Sequence, residues 1–216
     1  MATWISLRIN RIVYPARLMF MGLFSGFEPI SWIIVFLGNP GPRYEKTRHN
    51  AGFMTADAIE KTTGVKMKRV RFTSLVSLAT IGGQRVLLMK PQAYMNRSGD
   101  AVRAAMRYYK APLGNVVVVS DDVSLSAGKL RIKRSGSAGG HNGLKDIIAK
   151  CGSEGFPRIK IGVGAPPDEN YDIADWVLSK PVGEDCRLIT EAVSRAAVAL
   201  ETIIAHGVDA AMVEFN

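Results

Sequence analysis

One histidine, one aspartate and three asparagines stand where predicted strands end or predicted helices begin. These residues are His49, Asp121, Asn39, Asn96 and Asn142. Histidine titrates near neutral pH, so it can take a proton from water and later return it. The set contains neither a serine or cysteine nucleophile in a sharp turn nor the spacing of metal ligands. It indicates attack by an activated water on a carbonyl group, with the amides holding a peptide-like substrate.

Each of these residues also has an ordinary structural explanation. A single histidine at a helix start is more often a capping or hydrogen-bonded surface residue. Asn39 belongs to an Asn-Pro-Gly turn sequence, and Asn96 can cap the helix that follows it. The adjacent acids Asp121 and Asp122 can bind a metal, orient a histidine or simply be solvated. Only the occurrence of all of them together favours the chemical interpretation.

A basic segment and a glycine-rich loop follow the two acids. The alternation in 129–134 places Lys129, Arg131 and Lys133 on one face of a predicted strand. Such a face suits phosphate groups, although cations on an edge strand also prevent aggregation. The glycine-rich stretch 135–140 opens a helix and can bind anions there. It lacks both the Gly-Lys-Ser/Thr of a P-loop and a GxGxxG pattern, so it supports nucleotide binding only weakly.

Alternating strand and helix signals must position these groups. They predict strands at 31–38, about 70–81, 85–90, 116–119, 129–134 and 158–163, and helices at 50–63, 98–110, 142–150 and about 184–206. Gly82-Gly83-Gln84 indicates a hairpin, Gly64 a helix end and Ser98 a helix cap. This order predicts one α/β domain with a mixed sheet. Open α/β sheets bind ligands at the carboxyl ends of their strands, so the site is expected around Asn39 and His49.

Composition narrows the class of protein. The chain has 216 residues, 47% hydrophobic and 22% charged, as is ordinary for a soluble globular protein. Its formal charge of +9 suggests a polyanionic partner, with nucleic acid the first candidate and a solvated basic face the alternative. The two cysteines, Cys151 and Cys186, form no CxxC pair and are predicted to be free thiols in a reducing compartment. No apolar run approaches the roughly 20 residues that span a bilayer.

The first residues differ in composition from the rest. Residues 1–27 contain three arginines and no acidic residue, which fits a transit peptide or an upstream start codon before Met19 or Met21. We therefore predict a dispensable extension at 1–30 and a catalytic domain at 31–216. The expected location is the cytoplasm, or an organelle matrix if the extension is a transit peptide.

Several blocks, in order, resemble the bacterial-type peptidyl-tRNA hydrolases over about residues 31–206. They are Gly38-Asn39-Pro40-Gly41, Tyr44, Thr47 to Gly52, Lys90-Pro91, Tyr94-Met95-Asn96, Ser98-Gly99, Asp121-Asp122, Gly139 to Lys145, and Arg158 with Ile161 to Gly164. The resemblance implies a monomeric α/β fold with a twisted mixed sheet flanked by helices. It also implies cleavage of the ester between a peptide and the 3′ end of tRNA, with no metal or organic cofactor.

The resemblance also implies a role for each polar residue. His49 corresponds to the general base that activates water, and Asp121 to the partner of its imidazole. Asn39 corresponds to the residue that separates peptidyl-tRNA from free aminoacyl-tRNA. Asn96 and Asn142 correspond to ligands of the peptide and of the tRNA terminus.

Further contacts to tRNA follow from the same resemblance. Tyr44 and Tyr94 correspond to tRNA contacts, with Tyr94 where the family usually has Phe. Three cations are candidates for the acceptor-stem phosphates, namely Arg131, Lys133 and Lys160. The alternative is a non-catalytic RNA-binding protein on the same fold, and a third interpretation is a small-molecule esterase.

The sequence departs from the family pattern at two places. Phe36 stands where the family usually has Gly, so its bulk either alters access to the site or is compensated by its neighbours. Ser124 and Ser126 follow the acid pair in place of a more usual run, which leaves the geometry of that loop open. All the chemical residues are present.

Overall fold

A computed structural model describes residues 29–216, so the predicted extension at 1–30 lies outside the described residues except for its last two. Its strands are β1 (Trp32–Phe36), β2 (Arg69–Arg71), β3 (Ser74–Ile81), β4 (Gln84–Pro91), β5 (Val116–Asp122), β6 (Leu130–Lys133) and β7 (Arg158–Gly162). Its α-helices are α1 (Ala51–Thr63), α2 (Ser98–Tyr109), α3 (Asn142–Cys151), α4 (Ile173–Leu178), α5 (Gly183–His206) and α6 (Val208–Phe215). In this part of the chain, no helix is both long and apolar enough to cross a membrane.

The strands form one mixed sheet in the order β2-β3-β4-β1-β5-β7-β6. The four central strands β4, β1, β5 and β7 run parallel, while β3 pairs antiparallel with β2 and β4, and β6 pairs antiparallel with β7. The carboxyl ends of the parallel strands therefore meet at one edge of the sheet, where ligands bind in open α/β folds. This architecture confirms the predicted α/β class with a mixed sheet flanked by helices.

Alternate residues of β1 face two different cores. Ile34 and Phe36 pack with residues of α1 and α5, whereas Ile33 and Val35 pack with residues of α2 and α3. The side chain of Phe36 is fully buried in the first of these cores and does not line the cavity described below. Its ring therefore fills the space between β1 and the helices α1 and α5, and it does not narrow the cavity.

Several predicted boundaries need correction. The predicted strand at 70–81 is two strands, because Phe72 and Thr73 both have positive φ and form a tight turn. The hydroxyl of Ser98 donates to the carbonyl of Met95 and does not cap α2. Helices α4 and α6 were not predicted from the sequence.

Candidate active site

His49 and Asp121 come from neighbouring strand ends and meet in the interior. His49 lies on a 3-10 turn between the β1 loop and α1, and Asp121 is the penultimate residue of β5. The Nδ1 atom of His49 lies 2.9 Å and 3.1 Å from the two carboxylate oxygens of Asp121. Only 2% of Asp121 is exposed, so this carboxylate depends on side-chain partners in place of water. No hydrogen bond engages His49 Nε2 within residues 29–216, and the residue lines the cavity.

A second histidine, His141, binds the same carboxylate. It caps α3, where its Nδ1 accepts hydrogen bonds from the backbone N–H groups of Gly143 and Leu144. A neutral imidazole that accepts at Nδ1 carries its proton at Nε2. His141 Nε2 therefore donates to Asp121 Oδ1 at 3.0 Å. His141 was assigned no role from the sequence, although it stands directly before a predicted helix as His49 does.

The electrostatics of the pair favour a proton on His49. Burial lowers the pKa of His49, but the charge of Asp121 and the hydrogen bond to it outweigh this effect and raise the pKa above 6.5. Burial alone would raise the pKa of Asp121, yet both histidines hold it well below its usual range. Asp121 is therefore ionised near neutral pH, and it makes His49 a stronger base.

The same three side chains form the one cluster of metal-ligating groups found between residues 29 and 216. A metal ion would need a lone pair from His141 Nε2, which carries the proton in this arrangement. Moving that proton to Nδ1 would break both hydrogen bonds that cap α3. The donor set therefore fits a hydrogen-bonded catalytic group better than a metal site.

A cavity of about 480 Å³ opens beside the histidine pair. Its polar lining residues are Asn39, His49, Asn96, Asp121, Asp122, His141, Asn142 and Lys160, with Gly139 and Gly140. Its apolar lining residues are Tyr94, Met95, Val123, Ala138, Ile173, Ala174, Val177 and Leu178. Helix α4, unrecognised in the sequence, supplies four of the apolar residues. A cavity lined by both polar and apolar residues suits a substrate that is part backbone and part side chain.

Asn39 is held rigidly at the cavity. Its Oδ1 accepts a hydrogen bond from the backbone N–H of Met95 at 2.8 Å, which ties the β1 loop to the β4 loop. The side chain of Asn50 binds both backbone polar groups of Asn39. Its Oδ1 accepts from the Asn39 N–H, and its Nδ2 donates to the Asn39 carbonyl. The side-chain nitrogen of Asn39 makes no hydrogen bond with the described residues. It is therefore a donor available to a ligand in the cavity.

The other predicted amides and aromatic residues surround the mouth of the cavity. Asn96 and Asn142 are exposed, line the cavity and have no hydrogen bond from their side chains to residues 29–216. Tyr94 lines it as well and is 59% exposed. Tyr44 does not line the cavity, but its ring stands edge-on to Tyr94 at 6.3 Å. The structure thus places all four near the same opening.

The three predicted phosphate-binding cations differ in their surroundings. Lys160 lines the cavity and forms a 2.6 Å ion pair with Asp122, so part of its charge is already neutralised. Arg131 and Lys133 lie exposed on β6, the edge strand next to β7. Ser124 also binds Asp122, through both its N–H and its hydroxyl, and so fixes the loop that the sequence left open.

Arg48 ties helix α4 to the turn that carries His49, and sequence reasoning missed it. It is 3% exposed, and its guanidinium lies 3.7 Å from the ring centroid of Trp176 in α4. It also donates to the hydroxyl of Ser179 and pairs with Asp185 at the start of α5. Its partners lie more than 120 residues away in sequence, so no local pattern marks it.

Comparison with known proteins identifies one family for the whole described domain. A family model described as peptidyl-tRNA hydrolase matches residues 33–216. The peptidyl-tRNA hydrolase of Caldanaerobacter subterraneus subsp. tengcongensis is 48% identical over 185 residues, covering 86% of this chain and 99% of that protein. The corresponding protein of Lachnospira eligens is 45% identical over the same lengths.

A crystal structure of peptidyl-tRNA hydrolase from Acinetobacter baumannii has the same fold. It superposes with a TM-score of 0.80 at 32% identity, covering 87% of this chain and 96% of that one. The sequence match covers 86% of the chain and the structural match 87% of it. The predicted resemblance is therefore confirmed, and this chain belongs to the peptidyl-tRNA hydrolase family.

Proposed function

We propose that this protein hydrolyses the ester that joins a peptide to tRNA, with water activated by His49. One observation carries the proposal. His49 is hydrogen-bonded through Nδ1 to the buried carboxylate of Asp121, and the residue lines the cavity with no protein partner for Nε2. A buried carboxylate fixes the tautomer of the ring and stabilises the imidazolium that forms when Nε2 takes a proton.

The proposed reaction has two steps. His49 Nε2 removes a proton from water as the water oxygen attacks the ester carbonyl carbon, which gives a tetrahedral intermediate with a negative oxygen. The intermediate then re-forms the carbonyl as its bond to the 3′ oxygen of tRNA breaks. The imidazolium of His49 returns the proton to that oxygen. The products are a peptide with a free carboxyl group and tRNA with a free 3′ hydroxyl.

The amides give the site its selectivity in this proposal. Asn39 Nδ2 is a fixed donor, because Oδ1 of the same side chain is already bound to Met95. A donor at this point recognises the carbonyl of the peptide bond next to the ester, and an unblocked aminoacyl-tRNA has no such carbonyl. Asn96 and Asn142 offer further donors and acceptors at the opening for the peptide backbone and the terminal nucleotide.

The nucleic acid is proposed to leave the cavity past Tyr44 and Tyr94, whose rings can stack on single-stranded bases. Arg131 and Lys133 on β6 are candidates for contacts to the acceptor-stem phosphates. Lys160 fits this role less well because it is paired with Asp122. We propose that the protein acts as a monomer in the compartment where translation takes place, with residues 31–216 as the catalytic domain.

A non-catalytic RNA-binding role is the alternative. Binding of tRNA requires cations and aromatic rings. A role in binding alone therefore does not explain why two histidines bind one buried carboxylate beside a cavity. A small-molecule esterase would need no basic surface.

The test is release of tRNA from N-acetyl-aminoacyl-tRNA by the purified full-length protein, with the unblocked aminoacyl-tRNA as the matched control substrate. We expect turnover of the N-acetylated substrate and little or none of the unblocked one. Tight binding of tRNA without turnover would leave only the non-catalytic role. Equal hydrolysis of both substrates would remove the proposed role of Asn39.

A further inference from the structure

The positive charge of the chain is concentrated in one segment. Residues 61–110 contain eleven lysines and arginines and a single acidic residue, Asp100. All the other residues together contain seventeen basic and eighteen acidic ones. The segment therefore carries a net charge of +10 and all the other residues together −1. It forms β2, β3, β4 and α2 and includes the edge of the sheet opposite β6.

Some of these cations have acidic partners and some do not. Lys66 pairs with Glu60, Lys90 with Asp57, and Arg103 with Asp100. Seven others have no acidic partner within residues 29–216. Five of the seven lie in or next to β2 and α2, and we call these five the β2–α2 basic surface: Lys68, Arg69, Arg71, Arg107 and Lys110. All are exposed except Arg71, which is half-buried. Nothing in the described part of the protein compensates their charge.

Arg71 connects the part of this surface on β2 with the part on α2. Its guanidinium lies 3.8 Å from the ring centroid of Tyr108, next to Arg107 in α2, and 4.9 Å from that of Phe72. Tyr108 is 42% exposed and Val70, between Arg69 and Arg71, is 75% exposed. Cations interleaved with aromatic rings are typical of surfaces that bind RNA, where phosphates contact the cations and bases stack on the rings.

Backbone pairing connects the β2–α2 basic surface to the loop at the mouth of the cavity. Arg71 pairs across the β2–β3 ladder with Ser74, and Ser74 pairs with Pro91 at the end of β4. The turn after β2 is also bonded to the β4 loop, since the Gln92 N–H donates to the Thr73 carbonyl at 2.9 Å. Two strand spacings separate β2 from β4, about 10 Å in all. A polyanion whose end lies in the cavity can therefore reach these cations.

The charge of each possible binding partner indicates which of them fits the β2–α2 basic surface. The first 27 residues of the chain contain three arginines and no acidic residue, so they do not supply the negative charge that this surface lacks. A membrane would supply it, but it would not account for the connection to the cavity. The phosphate backbone of the RNA whose 3′ end enters the cavity satisfies both requirements.

We propose that the β2–α2 basic surface binds the phosphate backbone of the tRNA whose ester lies in the cavity, at the sheet edge opposite β6. This inference rests on the proposed function, because it takes the substrate to be tRNA. The five cations of this surface would then bind the tRNA body and take no part in cleavage of the ester.

The test compares two substrates of the full-length protein. One is N-acetyl-aminoacyl-tRNA, and the other is the N-acetyl-aminoacyl trinucleotide that carries the same ester without the tRNA body. For the double variant Arg69→Gln/Arg107→Gln, we expect KM for the tRNA substrate to rise roughly 10-fold at low salt. The trinucleotide should be hydrolysed with unchanged kcat and KM. The slope of log Kd for deacylated tRNA against log salt should fall by roughly 1 to 2, as expected for two lost phosphate contacts.

The matched control is Arg187→Gln/Arg195→Gln, which removes the same charge from exposed positions of α5 on the other core of the sheet. It should leave KM and the salt slope close to those of the unaltered protein. An unchanged KM for tRNA in the first variant, an equal rise for both substrates, or loss of binding only to anionic phospholipid vesicles would overturn the proposal. If the unaltered protein hydrolyses neither substrate, the proposed function fails, while the salt slope for deacylated tRNA still tests the surface.

Discussion

The proposed chemistry depends on one carboxylate that binds two histidines. Asp121 accepts from His49 Nδ1 and from His141 Nε2, and it is only 2% exposed. The His141 proton is fixed on the side of Asp121 because α3 occupies its other nitrogen. The fold therefore sets the protonation of all three groups and leaves only His49 Nε2 free to exchange a proton with the cavity.

Asp121→Asn tests how the carboxylate acts on His49. Without the negative charge, burial is the remaining influence, so the pKa of His49 should fall. The acid limb of the kcat profile should therefore move to lower pH. We also expect kcat at the optimum to fall by roughly 10²- to 10⁴-fold, because the ring loses its fixed tautomer. A pH-rate profile of both proteins measures this, and an acid limb that stays in place would contradict the assignment.

His141→Ala should shift the same profile the other way. Removing one donor leaves the Asp121 carboxylate more basic and more strongly paired with His49, so the acid limb should move to higher pH. The loss of a hydrogen bond to a charged group should lower kcat by roughly 10-fold. His141→Asn can still cap α3 and serves as the control for damage to that helix. A loss of stability with no shift of the profile would limit His141 to a structural role.

Sequence patterns located the polar residues but not all their contacts. His49, Asp121 and Asn39 were found because each follows or precedes a strong strand or helix signal. The structure brings them together at one edge of the sheet. His141 also precedes a predicted helix, but its bond to Asp121 could not be foreseen from that position. Arg48 carries no local signal, since its partners lie more than 120 residues away.

Among the elements, α1 matters most for the site because it directly follows the turn that carries His49 and packs against the sheet. Gly52 in its first turn lies directly on the backbone of β5 and of the loop after β1. A Cβ atom there would meet Leu37 O at 2.4 Å and Val119 O at 2.6 Å. These are backbone atoms of the central sheet, so they cannot yield as the end of a flexible side chain would.

Gly52→Ala should therefore lower the free energy of unfolding by about 1–3 kcal/mol or more, as other overpacked cores do. Gly114→Ala is the matched control, because its added Cβ would have no atom within 4 Å. That change should be neutral or stabilising, by at most about 1 kcal/mol. Denaturant unfolding of both variants decides the matter, and equal stability of the two would contradict this account of the close approach.

Elements with long apolar runs were predictable, and short or exposed ones were not. β1 and β5 are buried apolar runs, and the Gly82-Gly83 turn between β3 and β4 was recognised by its composition. The turn between β2 and β3 was missed because Phe72 and Thr73 adopt positive φ without any glycine. Helix α4 has six residues and buries only Val177, so it has too little periodicity to recognise.

On the scale of the whole molecule, charge and catalysis are separated. The net positive charge lies in residues 61–110. The proposed catalytic group consists of His49, Asp121 and His141, which come from the turn before α1, from β5 and from the residue that caps α3. Affinity for tRNA and the rate of the chemical step should therefore respond to different substitutions. High salt should weaken the first and spare the second.

The domain prediction is tested by shortening the chain. The family model begins at residue 33, and the described structure begins at residue 29. A protein that starts at residue 29 after an initiating methionine should keep the kcat and KM of the full chain for N-acetyl-aminoacyl-tRNA. A large rise in KM would show that the first residues contribute to binding, and the extension would then not be dispensable.

Activation of water by His49 is tested most directly by single-turnover hydrolysis of N-acetyl-aminoacyl-tRNA, with the unaltered protein and with His49→Ala. If His49 activates the water, the rate of ester cleavage by His49→Ala should be lower by roughly 10²- to 10⁴-fold. The Kd for tRNA, measured on the same preparations, should stay unchanged. A His49→Ala protein that cleaves the ester at the rate of the unaltered protein would contradict the account.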